Sequence, residues 1–143
     1  MRYLLDTNVI SQLTKEQPNE VSQWVIEQDE DDLFLSVATL LELRTGVELK
    51  SHGKKRDELE KWLVHTLPER FDNRIIPIER HTADLCGRII ARSRSEGWRM
   101  ESMDALIGAT AMVHDMALAT LNRKHFARLG VELVEFNAPS TSI

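Results

Sequence analysis

Three carboxylic acids in this chain stand in segments that otherwise read as protein core. Asp6 ends the apolar run Tyr3-Leu4-Leu5, Glu42 lies inside Ala38-Thr39-Leu40-Leu41-Glu42-Leu43, and Asp104 opens the small-residue stretch Asp104-Ala105-Leu106-Ile107-Gly108-Ala109-Thr110-Ala111. Charged side chains are seldom buried unless they are paired or bound to a metal. Three acids in separate near-core segments therefore predict one site that gathers them around a cation. An all-oxygen donor set selects a hard divalent ion, magnesium or manganese. Such an ion activates water and steadies the charge that builds on a phosphate during in-line attack. No histidine base is required, because metal-bound water already has a lowered pKa.

The neighbours of each acid sharpen this expectation. The residues three and four positions from Glu42 are Ala38, Thr39, Thr45 and Gly46. All are small, so on a helix the carboxylate would face a groove with room for a cation and a substrate. Asp104 follows Ser102, a candidate helix cap, and a first-turn position favours its ionised form. Thr120 and Asn122, in Thr120-Leu121-Asn122-Arg123, offer neutral oxygens directly after an apolar run. Each residue alone has a plain structural explanation. Asp6 can be a helix cap, Asp104 a favourable first-turn charge, Glu42 a solvated helix residue, Thr120 a strand end and Asn122 turn chemistry. Only the conjunction is specific.

The elements that must position these residues are legible from periodicity. Short, continuously apolar strands are expected at Arg2 to Leu5, Leu33 to Ser36, Arg74 to Ile78, Ala117 to Ala119 and Val131 to Val134. Helices are expected after Asp6, from Pro18, from Ala38 to Lys50, from Asp57 to Leu67, from His81 to a stop at Gly97, and from Ser102 to His114. Ser51 to Arg56 reads as a polar loop, and the acidic run Glu27 to Asp32 as a solvated helix end and turn. Alternating strands and helices predict an α/β domain of three layers, with a mostly parallel sheet of about five short strands flanked by helices. Sites in such sheets form beyond the carboxyl ends of the strands, the edge on which Asp6 and Thr120 fall. Residues 1–143 read as a single domain with a polar tail from about residue 137.

Composition narrows the setting. The net charge of -5 is unlike that of a typical nucleic-acid binder, although a bound cation would cancel part of it. Basic residues cluster at Lys54-Lys55-Arg56, at Arg88 with Arg92, and at Arg123-Lys124-His125. No apolar stretch approaches the roughly 20 residues of a membrane span, and Met1 to Asp6 does not read as a signal peptide. The lone Cys86 has no intrachain disulfide partner and reads as a small buried core residue. Together these features predict a cytoplasmic protein without a membrane role. The five histidines show no ligand spacing and are set aside as non-catalytic. Trp24, Trp62 and Trp98 read as core or dimer contacts.

At its four motifs the chain resembles PIN-domain proteins, and among them the VapC toxins of type II toxin–antitoxin pairs, in particular the FitB-like branch. The motifs are Met1-Arg2-Tyr3-Leu4-Leu5-Asp6-Thr7-Asn8-Val9-Ile10, Thr39 to Gly46, Met103 to Ala111, and Ala119 to Phe126. The resemblance implies a magnesium- or manganese-dependent ribonuclease with metal-binding acids at Asp6, Glu42 and Asp104. Asn122 stands where PIN domains often carry a fourth acid, as a weaker ligand, and Thr120 would hydrogen-bond within the site. The resemblance further implies a homodimer, an RNA substrate with transfer RNA as the first guess, and a cognate antitoxin through which alone DNA is reached. Arg44, Arg88 and Arg92 are assigned as phosphate contacts, with surface ion pairing as the competing explanation. Two other readings compete: a degenerate PIN module that only binds a partner or nucleic acid, favoured by Asn122, and a receiver or phosphotransfer domain. The latter wants a second acid near Asp6, where the chain has Asn8.

Overall fold

Two interleaved sets of apolar side chains along the strands bury opposite faces of one sheet. The computed structural model describes residues 1–136. Its strands are β1 (Tyr3–Leu5), β2 (Leu33–Ser36), β3 (Ile75–Ile76) and β4 (Ala117–Ala119), all parallel, in the order β3-β2-β1-β4. The register pairs Tyr3 with both Leu33 and Ala117, and Leu5 with Ala119. Because side chains alternate across a strand, Leu4, Ile76 and Leu118 enter one core with Ile89, Ile107 and Phe126. Leu5, Leu33, Leu35, Ala117 and Ala119 enter the other, with Val9, Val25, Val47, Leu67 and Phe71.

The helices are α1 (Thr7–Gln12), α2 (Glu20–Glu27), α3 (Val37–Leu49), α4 (Lys54–Lys61), α5 (Leu67–Phe71), α6 (Arg80–Glu96), α7 (Ser102–Val113) and α8 (Arg123–Phe126). Helix α1 and the hydrophobic sides of α2, α3 and α5 cover one face, while α6, α7 and α8 cover the other, giving the expected three layers. Local chemistry sets the ends. Ser36 caps α3 through a buried hydrogen bond from Ala38 N at 3.0 Å. Asn19 and Ser22 close a reciprocal capping box on α2. Gly97 ends α6 in the left-handed conformation at φ 78°.

The chain departs from expectation in five places. The polar loop after Ser51 is short, because Gly53 at φ 152° lets α4 start at Lys54. The expected helix ending at Leu67 continues to Phe71 through a π-helical turn at Trp62–Thr66. Pro68 has no N–H to give the carbonyl four residues back, and its ring crowds that carbonyl, so a wider turn accommodates it. The third strand is confined to Ile75–Ile76, since Pro77 cannot donate to the ladder. The expected fifth strand is a single bridge from Leu118 to Leu133, with Leu118 N to Glu132 O at 2.8 Å and Val134 N to Leu118 O at 3.0 Å. The left-handed Gly130 at φ 75° shortly before it delays the extended segment, leaving a four-stranded sheet. Ser102 is the first residue of α7 and not its cap; Glu101 holds that position without a side-chain hydrogen bond. The polar tail expected from about residue 137 lies outside the described residues.

The strand order matters for function. The chain moves outward from β1 to β2 to β3 and then returns to pair β4 on the other side of β1. The reversal opens a crevice between the ends of β1 and β4, the place where open parallel sheets bind ligands. This order also differs from the 2-1-3-4-5 of receiver-like sheets, which removes the phosphotransfer reading.

Candidate active site

Asp6 is the first residue beyond β1, and Thr120 the first beyond β4, so both stand at the strand reversal. Asp6 N donates to Ala119 O at 2.9 Å, which ties the two strand ends together. The Asp6 side chain is 3% exposed and fully engaged. Its Oδ1 accepts from Thr7 N at 2.8 Å as the cap of α1. Its Oδ2 accepts from Thr120 Oγ1 at 2.7 Å and from Asn8 Nδ2 at 3.2 Å. Asn8 also accepts from Leu121 N at 3.0 Å, and Thr120 Oγ1 accepts from Asn122 N at 3.0 Å. The turn after β4 is thereby stitched to the turn after β1.

Helix α3 brings Glu42 to the same place, where Thr7 Oγ1 donates to Glu42 Oε1 at 2.5 Å. Helix α7 brings Asp104 in its first turn, where the helix amides favour a negative charge. Asp6, Thr7, Asn8, Ser11, Glu42, Asp104 and Asn122 line one open cavity of about 300 Å³. The electrostatics agree with this convergence. Burial pushes the Asp6 carboxyl above the usual carboxylate range; the Thr120 and Thr7 hydrogen bonds oppose the rise, and the charges of Asp104 and Glu42 add to it. Among the described residues no lysine or arginine forms an ion pair with these three acids, and His125 Nδ1 lies 3.2 Å from Asp104 Oδ2.

The trio shares a cavity without closing on one point. Among the described residues no three His, Cys, Asp or Glu side chains are drawn into a ready metal cage. Glu42 is turned onto Thr7, and Asp104 onto His125. The donor chemistry nonetheless fits a hard dication: three carboxylates and an amide oxygen, no sulfur, and a surplus of negative charge that raises the proton affinity of Asp6.

The three arginines are not among the residues lining this cavity. Arg44 pairs with Glu60 at 2.6 Å and Glu48 at 3.1 Å, Arg88 with Asp84 at 3.0 Å, and Arg92 with Glu96 at 2.7 Å. Two neighbours of the acids escaped the sequence reading. Thr7 was visible only as part of the Asp-Thr-Asn string, and its reach to a glutamate 35 positions away requires the fold. His125, set aside as non-catalytic, meets Asp104 because the single turn of α8 carries it back across the start of α7. Cys86 is buried as expected, and burial pushes its thiol up.

Known proteins share this arrangement of sequence and fold. Toxin FitB of Neisseria gonorrhoeae is 36% identical over 124 residues, covering 86% of this chain and 89% of the relative. The VapC ribonuclease Y4jK of Sinorhizobium fredii is 30% identical over 132 residues, covering 92% of this chain and 94% of the relative. The crystal structure of FitAcB from N. gonorrhoeae superposes with a TM-score of 0.85 at 33% identity, covering 94% of this chain and 97% of that chain. The PIN domain family model matches residues 3–132, a span that holds Asp6, Glu42, Asp104 and Asn122. The chain belongs to the PIN domain family.

Proposed function

We propose that this chain is the ribonuclease toxin of a toxin–antitoxin pair, hydrolysing RNA phosphodiester bonds with a magnesium or manganese ion. The observation that carries the reading is the convergence of Asp6, Glu42, Asp104 and Asn122, from four separate segments, on one 300 Å³ cleft. The similar proteins support it, one being named a toxin and another a VapC ribonuclease.

Asp6, Glu42 and Asp104 would hold the ion, with the Asn122 side-chain oxygen as a weaker fourth donor. When bound, the ion supplies a lowered water pKa and a countercharge for the phosphate. The chain's own residues prepare that place. Thr120, Asn8 and the Thr7 amide fix the Asp6 carboxylate so that its direction does not depend on a ligand. Thr7 does the same for Glu42, and His125 steadies Asp104 from the solvent side. With three acids and one amide, the site favours a single firmly held ion.

The partners that follow are an RNA substrate, transfer RNA first, a cognate antitoxin that covers the cleft, and a second copy of the chain as a homodimer. DNA enters only through the antitoxin complex. Among the described residues no helix is long and apolar enough to cross a membrane, and the cytoplasm is the proposed compartment.

The test is direct. Purified protein is incubated with transfer, messenger and ribosomal RNA in millimolar magnesium, beside Asp6→Asn, Glu42→Gln and Asp104→Asn. Cleavage by wild type, its loss in all three variants and its loss on chelation are expected. Intact RNA with wild-type protein and metal would instead leave a binding module in which Asn122 marks lost catalysis.

A further inference from the structure

Helix α4 has almost no apolar anchor. It is the string Lys-Lys-Arg-Asp-Glu-Leu-Glu-Lys, in which no residue is buried and Leu59, half-buried against the second core, is the one apolar side chain. Helix α6, by contrast, buries Cys86 and Ile89. A helix of two turns is marginal by itself, because helical stability in proteins comes mainly from packing an apolar face. Both ends of α4 are unusual too. It starts at Gly53, in a backbone conformation that suits glycine (φ 152°), without a side-chain cap. It leaves through the π-helical turn Trp62–Thr66, a form that recurs inside helices at functional sites.

What fastens α4 is charge. Glu60 Oε2 of α4 meets Arg44 Nη1 of α3 at 2.6 Å, Arg44 Nη1 meets Glu48 Oε1 at 3.1 Å, and Glu48 Oε2 meets Arg56 Nη2 of α4 at 3.2 Å. These four residues make one chain of alternating sign across the two helices, and Arg56 Nη1 also donates to Lys50 O at 3.2 Å. The side chains of Arg44, Glu48 and Glu60 are 40%, 57% and 48% exposed. Such pairs hold weakly one by one and are screened by salt. Beneath the helix lies a cavity of about 680 Å³, walled by Leu59 and Trp62 on one side and by Leu43 and Val47 of α3 on another. It shares Thr7, Ser11 and Glu42 with the acidic cleft. Lys15, Lys50 and Lys55 line it as well, and none forms an ion pair among the described residues, so no such contact fastens α4 from the inside.

We propose that α4 is a lid latched by charge on the side entrance to the acidic cleft. The Glu60–Arg44–Glu48–Arg56 network holds it down over the cavity. It lifts about the π-helical turn, with Gly53 giving slack at the opposite end. Lifting takes away the Leu59 wall and widens the passage that leads to Glu42. The apolar lining sets which form rests. Leu43 and Val47 lose cover when the lid rises, so the closed form is the ground state. A single leucine is too little contact to make closure permanent, and local opening is therefore drawn from the low end of the stability range. Ionic strength sets the open fraction, because it weakens the latch and leaves the apolar contact in place. The lid gives Arg44 a place in the molecule although it does not line the acidic cleft. Its operation needs only the geometry of α3 and α4 and is independent of the ribonuclease reading.

The experiment is hydrogen exchange read by mass spectrometry on the full chain, without metal or nucleic acid, at about 0.05 M and about 0.5 M salt, between which exposed charges become strongly screened. Lys54–Lys61 is expected to exchange roughly tenfold or more faster than α6 at the lower salt. At the higher salt it is expected to speed up by roughly a further threefold while α6 keeps its rate. Arg44→Gln is expected to give α4 the fast rate already at low salt and to remove most of the salt response. Thiol labelling supplies a second readout. Val47→Cys places a side chain of similar size under the lid, at a position 6% exposed, and the native Cys86, 8% exposed in the opposite core, is the internal control. A bulky maleimide is expected to label position 47 faster with salt and with Arg44→Gln, and Cys86 at an unchanged rate. Exchange of α4 as slow as that of α6 at both salts would overturn the proposal. So would an Arg44→Gln chain with parental exchange in α4 and parental labelling at 47. Two thiols labelled at one common rate would overturn it as well, because the whole fold and not the lid would then be opening.

Discussion

Asp6 shows how much a single carboxylate can be asked to do. It caps α1, receives Thr120 and Asn8, and faces two further acids from a position 3% exposed. Burial and like charge disfavour its ionised form, and the hydrogen bonds resist them. Two expected outcomes belong to this residue. Asp6→Asn removes a proposed ligand, and cleavage should fall by more than the roughly 10- to 100-fold typical of losing a ligand's outer partner. Without metal, however, the variant should melt no lower than wild type at neutral pH, because repulsion within the cleft is relieved; thermal melts beside a cleavage assay check both. Thr120→Val should itself cost about 10- to 100-fold in activity, with Thr120→Ser restoring most of it. The acids were readable in the sequence because their apolar neighbours made them conspicuous. Thr7 and His125 were not, because threonine and histidine in a helix look ordinary until the fold brings their partners to 2.5 and 3.2 Å.

At the scale of elements, precision comes from caps and close approaches. Ser36 donates nothing to chemistry but fixes the start of α3, and so the rotation that aims Glu42 into the cleft. Ser36→Ala should destabilise by about 1–2 kcal/mol and lower the melting temperature by roughly 2–8 °C. Its activity should fall beyond what that loss of folded protein explains, as thermal melts with specific-activity measurements would show. Gly108 lets α7, which carries Asp104, pack against α8. A Cβ there would lie 2.6 Å from Leu129 Cδ1 and 3.5 Å from Phe126 Cδ1. Gly108→Ala should therefore cost about 1–3 kcal/mol, read as a lower denaturation midpoint. Periodicity revealed α6, which has a sustained apolar side and a glycine stop, whereas α3 and α7 showed as long runs of apolar and small residues. It failed at Lys54–Phe71, where Gly53 advanced the start and Pro68 forced a wider turn without ending the helix. It also overstated the last strand, since four apolar or extended residues do not disclose how many ladder bonds their neighbour has left to offer.

Across the whole molecule, charge holds segments far apart in sequence. Glu30 receives Arg70 Nε at 2.7 Å and a second guanidinium nitrogen at 3.2 Å. Arg74 donates to the carbonyls of Glu30, Leu33 and Arg70, the last two at 2.6 Å. This clamp fastens the turn before β2 to the segment before β3. The Arg70 hydrogen bond holds the Glu30 carboxyl below its ordinary range. The unfolded chain then binds more protons than the native one in that window, so stability is present above the ordinary carboxylate pKa and lost as pH falls toward the lowered value. Melting temperature followed against pH should show this acid-side loss, and Glu30→Gln should flatten it. Divalent metal should raise the melting temperature by linkage, about 2.7 kcal/mol at a hundredfold excess over the dissociation constant, and Asp6→Asn should abolish the gain. Overall charge disclosed none of this in the sequence, because composition sums the acidic cleft and the lysine-lined groove into one number.

The bond between Asp6 and Thr120 closes a loop of 114 positions. During synthesis the first strand leaves the ribosome long before the last one exists, so Asp6 must wait for nearly the entire polypeptide before its Thr120 donor and the strand beside it arrive. A fragment cut off before residue 117 lacks that neighbour and the anchor for its first carboxylate. Translation products that stop before Ala117 should accordingly be harmless to the cell that makes them, and activity should appear only once the chain extends through β4 and Thr120.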